Sequence, residues 1–106
     1  EPEPYDGPWI KKADMLYARH RFSAVSINDN IYVFGGHTEK NKVIKNVEVF
    51  DTKDNGAYWQ IKSDMSVARY GTAAVVLNDV VYVIGGSVIG NDGKPESTPL
   101  IETYYP

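Results

Sequence analysis

The stretch Ile31-Tyr32-Val33-Phe34-Gly35-Gly36 comes back fifty residues later as Val81-Tyr82-Val83-Ile84-Gly85-Gly86. In each copy a run of β-branched and aromatic residues is stopped by paired glycines. Such a run reads as a strand ending in a backbone turn that larger side chains obstruct. Working outward, residues 9–36 align with residues 59–86 without a gap, and 14 of the 28 positions are identical. Trp9 falls on Trp59, Met15 on Met65, Arg19 on Arg69, Val25 on Val75, Asn28-Asp29 on Asn78-Asp79, and Tyr32 on Tyr82. Beyond the glycines the offset grows by four, so that Val47-Glu48-Val49-Phe50 meets Ile101-Glu102-Thr103-Tyr104, and the extra residues belong to the second loop, 87–100. A chain that repeats in this way is built of units that bury their faces against one another.

Each unit predicts four short strands. In the first, a strand from Trp9 to about Lys12 leads in, residues 22–27 and 31–34 form a hairpin across Asn28-Asp29-Asn30, and residues 46–50 follow the polar loop 37–42. In that last run Val47 and Val49 share one face while Glu48 and Phe50 take the other. Residues 51–56 carry turn chemistry, and the second unit repeats the plan at 72–77, 80–84 and 100–104. No stretch has a helical period. The expected fold class is all-β, a single domain over residues 1–106 made of meandering antiparallel sheets of four strands. Repeat 1 spans 16–65 and repeat 2 spans 66–106.

These positions resemble the kelch repeat. In this chain the pattern runs from Met15 and Arg19 through the Tyr32 strand and Gly35-Gly36 to Glu48, Phe50 and Trp59. The second copy has Met65, Arg69, Tyr82, Gly85-Gly86, Glu102 and Tyr104, with no tryptophan after it. The resemblance implies kelch-type β-propeller blades, one per repeat, with the paired glycines ending the second strand of each. Propellers close with about four to eight blades, whereas this sequence contains two. Two blades leave apolar faces open to water and do not surround an axis. Residues 9–15 read as a last strand with no blade before it, and repeat 2 reads as a blade lacking its last strand. The expectation is a cyclic homo-oligomer in which residues 9–15 of one copy complete the next copy's final blade, three copies making six blades. The alternatives are an engineered or excised piece of a larger propeller, and part of a propeller enzyme or metal-binding ring.

Composition narrows the function. The formal charge is −3, and acidic and basic residues interleave without a basic block, which excludes the electrostatic footprint of nucleic-acid or membrane-surface binding. Cysteine is absent, so disulfide frameworks and thiolate metal sites are excluded. The N-terminal residues have neither a basic start nor an apolar core, no apolar run approaches a membrane span, and cytoplasmic is the default compartment.

Gly35-Gly36 and Gly85-Gly86 are not followed by Lys-Ser/Thr or a helix, so they read as scaffold rather than a phosphate cradle. Trp9, Trp59, Tyr32 and Tyr82 occur once per repeat and read as packing between blades. The resemblance places the loops before the first strand and after the second on one face, where some kelch domains hold acidic peptides with arginines and polar groups. The candidate binding residues there are Tyr17, Arg19, His20, Arg21, His37, Arg69, Tyr70, Asn91 and Asp92. Arg19 and Arg69 carry a competing structural role, pairing with Glu48 and Glu102 or satisfying backbone carbonyls. Propeller enzymes of similar fold include a copper oxidase that uses a Tyr-Cys crosslink, which a chain without cysteine lacks. His20 and His37 are the two imidazoles, no serine shows the context of a nucleophile, and Asn91-Asp92-Gly93 falls short of a calcium loop. The reading is a non-catalytic scaffold with no cofactor. Its partners are itself and a protein or acidic peptide.

Overall fold

The computed structural model describes residues 8–40, 42–53 and 58–106. The part of the expected 51–56 turn beyond Lys53, Asn41 in the loop 37–42, and the first seven residues lie outside the described residues. Among the described residues there are eleven strands: β1 (Arg19–His20), β2 (Ser23–Ile27), β3 (Asn30–Phe34), β4 (His37–Thr38), β5 (Val47–Asp51), β6 (Gln60–Lys62), β7 (Ala73–Leu77), β8 (Val80–Ile84), β9 (Ser87–Ile89), β10 (Pro95–Ser97) and β11 (Ile101–Tyr104). They form two main antiparallel sheets, β2-β3-β5-β6 and β7-β8-β11, and two short ribbons, β1-β4 and β9-β10. The loop after Gly86 therefore contains a strand pair of its own, and the loop after Gly36 pairs with Arg19–His20 ahead of β2. Their polar composition concealed this, because two- and three-residue ribbons carry no readable period.

Turn chemistry sets the hairpins. Asn28 and Asp29 have φ of 50° and 68°, and Asn78 and Asp79 have φ of 52° and 63°. Two consecutive left-handed residues make the hairpin turn whose twist matches the flanking strands, and Asn and Asp tolerate it better than most side chains. The turns fix the register, with Val25 opposite Tyr32 and Val75 opposite Tyr82. Because strand side chains alternate, a one-residue slip would invert every face.

Each sheet has a front and a back. The front of the first carries Val25, Ile27, Tyr32, Phe34, Val47 and Val49, and it packs against Ala74, Val81, Val83 and Tyr104 on the back of the second, with Met65 between them. The Tyr104 ring lies 5.7 Å from that of Tyr32 and 5.9 Å from that of Phe34. Ser23 and Thr72 hydroxyls meet at 2.9 Å at the starts of β2 and β7, which run side by side. On the back of the first sheet Trp59, half-buried, lies 5.2 Å from Phe50 and donates its indole N–H to the Ala13 carbonyl at 2.9 Å.

The front of the second sheet has nothing against it among the described residues. The repeat makes the comparison exact by position: Ile27 is 6% exposed and its counterpart Leu77 59%, Phe34 1% and Ile84 36%, Val47 1% and Ile101 58%. The second sheet has three strands, and residues 9–18, where a strand from Trp9 to about Lys12 was expected, add none to any described sheet. Trp9 is 73% exposed. Among the described residues no helix is long and apolar enough to cross a membrane.

The left-handed turn is testable. Asp79→Gly keeps the conformation and leaves stability nearly unchanged, whereas Asp79→Val puts a β-branched residue at positive φ and costs about 1–2 kcal/mol, measured by urea denaturation.

Candidate loop-end binding site

At the end of the sheets where β2 and β7 begin, each repeat is tied together by one arginine. Arg19 lies on β1 but turns its guanidinium inward, donating to the carbonyls of Gly35 and Asn46, each at 3.1 Å, and to the side chains of Asn46 and Glu48. Glu48 also accepts the Leu16 and Tyr17 N–H groups at 2.7 and 3.2 Å. Arg69 repeats this with the carbonyls of Gly85 (3.1 Å) and Leu100 (2.9 Å) and with Glu102 (2.8 Å), which accepts the Ser66 N–H. Burial alone would raise the Glu102 carboxyl, but hydrogen bonds from Ser66 and the Arg69 guanidinium outweigh it and hold the group below the usual carboxylate range. Both arginine side chains are fully buried. Arg19 and Arg69, expected among the ligand-holding groups, are therefore structural: their fork nitrogens are engaged inside the fold.

The neighbouring residues point outward. β1 and β4 set His20 directly opposite His37, with ring centroids 5.1 Å apart. The His37 ring then lies 4.0 Å from that of Tyr70, which belongs to the other repeat and exchanges backbone hydrogen bonds with Ser87. Between these, Arg21 is exposed and has a φ of 57°, while its repeat counterpart Gly71 has a φ of 65°. The Arg21 carbonyl accepts the Gly71 N–H at 2.8 Å, joining the two repeats at this point. A bulky residue in this region is strained, and one repeat avoids the strain with glycine.

His20, Arg21, His37 and Tyr70 thus form one cluster at the junction of the sheets. Tyr17 lies beside the buried clamp, its ring centroid 5.9 Å from the Arg19 guanidinium carbon. Asn91 and Asp92 sit apart at the tip of the β9-β10 ribbon, where Asp92 accepts the Lys94 N–H at 3.0 Å. Asn46, a member of the clamp, was missed in the sequence because its role rests on a contact 27 positions away. The special backbone of Arg21 had a visible signal, since the fifty-residue offset aligns it with glycine.

Chemically, the cluster combines a guanidinium and two imidazoles with a tyrosine face, a set suited to carboxylates. Among the described residues no group of three or more His, Cys, Asp and Glu side chains gathers to hold a metal. Burial, with the positive charge of His20 and Arg21 nearby, pushes His37 below the ordinary imidazole range.

Residues 18–66 match the family description "Kelch motif". Among solved structures, the chain is similar to YjhT, a kelch β-propeller, with a TM-score of 0.76 at 16% identity. The match covers 90% of this chain and 27% of that one, so this chain spans about a quarter of YjhT. At that identity the likeness concerns the fold.

The His37 shift has a stability consequence. An imidazole depressed in the folded state leaves the unfolded state binding more protons, so stability is full above about pH 6.5 and falls as pH drops through and below that value. Thermal unfolding followed from pH 8 to pH 5 should show this loss, and His37→Gln, which cannot gain a proton beside His20, Arg21 and Tyr70, should flatten it.

Proposed function

We propose that this chain, which belongs to the kelch-repeat family, is a non-catalytic scaffold: three copies close a six-bladed ring, and the loop end of each copy holds acidic peptide or protein segments. The carrying observation is the contrast between two copies of one pattern. Ile27, Phe34 and Val47 are buried against the neighbouring sheet, while Leu77, Ile84 and Ile101 occupy the same positions in the open. A large apolar side chain gains about 1.5–3 kcal/mol from full burial, so this face favours a partner. The back of the first sheet suits it. There Ala24, Ile31, Val33 and Phe50 stand where Ala74, Val81, Val83 and Tyr104 stand on the surface that already covers such a front. Front to back is a heterologous contact, and it closes when the rotation permits. Further blades of a longer polypeptide would cover the same face, and their signature is a single-chain mass for this chain in isolation.

The binding reading rests on Arg21. Its left-handed backbone is shared by Gly71, which needs no side chain there, so the Arg21 side chain is dispensable to the fold and serves something outside it. A guanidinium flanked by His20, His37 and Tyr70 is chemistry for a carboxylate-rich segment. A ring repeats the cluster around one axis, which strengthens multivalent binding.

Glycines test the ring. A Cβ on Gly35 would lie 2.5 Å from the Arg69 carbonyl in the next repeat and 2.8 Å from the Met65 methyl at the junction with it, whereas on Gly85 the nearest atom is the Thr98 carbonyl at 3.5 Å. Their φ values of 63° and 64° make the intrinsic strain equal. In a ring, Gly85 meets Arg19 and Met15 of the next copy, so Gly85→Ala should shift the light-scattering mass from three chains toward one. A single-chain mass for the unmodified protein at micromolar concentration would sink the reading. For the binding site, Arg21→Gly should unfold at higher urea by about 1–2 kcal/mol yet lose affinity for a labelled hexaglutamate peptide. Unchanged affinity removes Arg21 from the site.

A further inference from the structure

We infer that the segment Trp9 to Lys12 of a second copy is the fourth strand of the β7-β8-β11 sheet, and that its Trp9 fills the recess between Tyr104 and Ser63. This rests on the ring reading and specifies the residues that carry it. In the first sheet β6 pairs with β5 in the register Val49↔Gln60, Glu48↔Ile61 and Val47↔Lys62. The repeat offsets carry Gln60, Ile61 and Lys62 to Ile10, Lys11 and Lys12, and Val49, Glu48 and Val47 to Thr103, Glu102 and Ile101. The register on the open edge of β11 is then Thr103 opposite Ile10, Glu102 opposite Lys11 and Ile101 opposite Lys12. Lys11 then arrives on the same face as Glu102 and matches its charge.

The tryptophan has a template in the same way. Trp59 lies 5.2 Å from Phe50 and donates to the Ala13 carbonyl. The counterparts of Phe50 and Ala13 are Tyr104 and Ser63, and both line a cavity of about 60 Å³ together with Asp64, Glu102 and Thr103. Trp9, 73% exposed in the chain by itself, is the group that the template places there, with its indole N–H directed to the Ser63 carbonyl. Its own chain does not deliver it: residues 13–17 run along the back of the first sheet, held by Trp59 and Glu48, on the opposite side of that sheet from the second. From that path the strand reaches the sheet packed against the back of its own first sheet, which in the ring belongs to a neighbouring copy. The front-to-back contact and the strand addition are thus two parts of one interface.

The absence of cysteine makes the test clean. The double variant Ile10→Cys/Thr103→Cys, treated with a short bis-maleimide, should give bands of two and three chains on a denaturing gel. The mispaired control Ile10→Cys/Ile101→Cys should link far less. Trp9→Ala should weaken assembly at least tenfold in concentration. If the protein has the mass of a ring and Ile10 and Thr103 do not link between chains, the strand assignment is wrong and the ring stands. A link confined within one chain overturns the assignment as well, and a single-chain mass overturns both.

Discussion

A buried guanidinium closed around backbone carbonyls is the constraint on which each repeat depends. Removing an arginine and a glutamate from water costs several kcal/mol per ion, and the cost is offset when nearly every donor and lone pair is engaged. Arg19 does so by drawing the Gly35 carbonyl, Asn46 and Glu48 to one point, and Glu48 extends the set to the Leu16 and Tyr17 amides. Three stretches remote in sequence are thereby fixed at one end of the first sheet. The paired glycines belong to the same device. Gly36 lacks a Cβ because the His20 carbonyl of its own repeat would lie 2.6 Å away, and Gly35 because the next repeat is that close. One glycine shapes the blade and the other lets the neighbour approach.

The two repeats carry nearly the same residues but meet different surroundings. Tyr32 is buried against Tyr104 while Tyr82 is half-buried on an open face, and Glu48 is sealed while the Glu102 side chain keeps 23% of its surface in water. The Tyr82 difference falls where a further sheet would stand, and the Glu102 difference at the edge where the first sheet has its fourth strand. A repeat architecture stabilises itself largely through nearest-neighbour interfaces, and a two-unit piece has one of these internally and a free surface at each end. The open front of the second sheet is therefore a property of the assembly rather than of its residues.

The loop end separates architecture from chemistry within a few residues. Arg19 is absorbed by the fold, whereas His20 and Arg21 beside it face outward with His37 and Tyr70. The cluster spans both repeats, and the Arg21 carbonyl to Gly71 N–H bond holds its halves in place. Burial, and after it the positive charge that His20 and Arg21 gather in one spot, hold His37 below the ordinary imidazole range.

By itself the sequence determined what is local and periodic. The Asn-Asp turns, the alternation of Val25 and Ile27 and the glycine pairs, read against one another at an offset of fifty, specified all-β blades and their hairpin register. The near-identity of the copies also put Trp9, Trp59 and the arginines in equivalent positions. Tertiary structure decided what depends on distant neighbours. It decided between the two roles open to Arg19 and Arg69 in favour of the inward one, because a guanidinium's destination is set by groups such as carbonyls up to 31 positions away. It formed the short ribbons β1-β4 and β9-β10 from loops whose polar residues conceal strand pairing. And it distinguished Leu77 from Ile27, two apolar residues at one repeat position, because exposure is a matter of what stands opposite and not of what the side chain is.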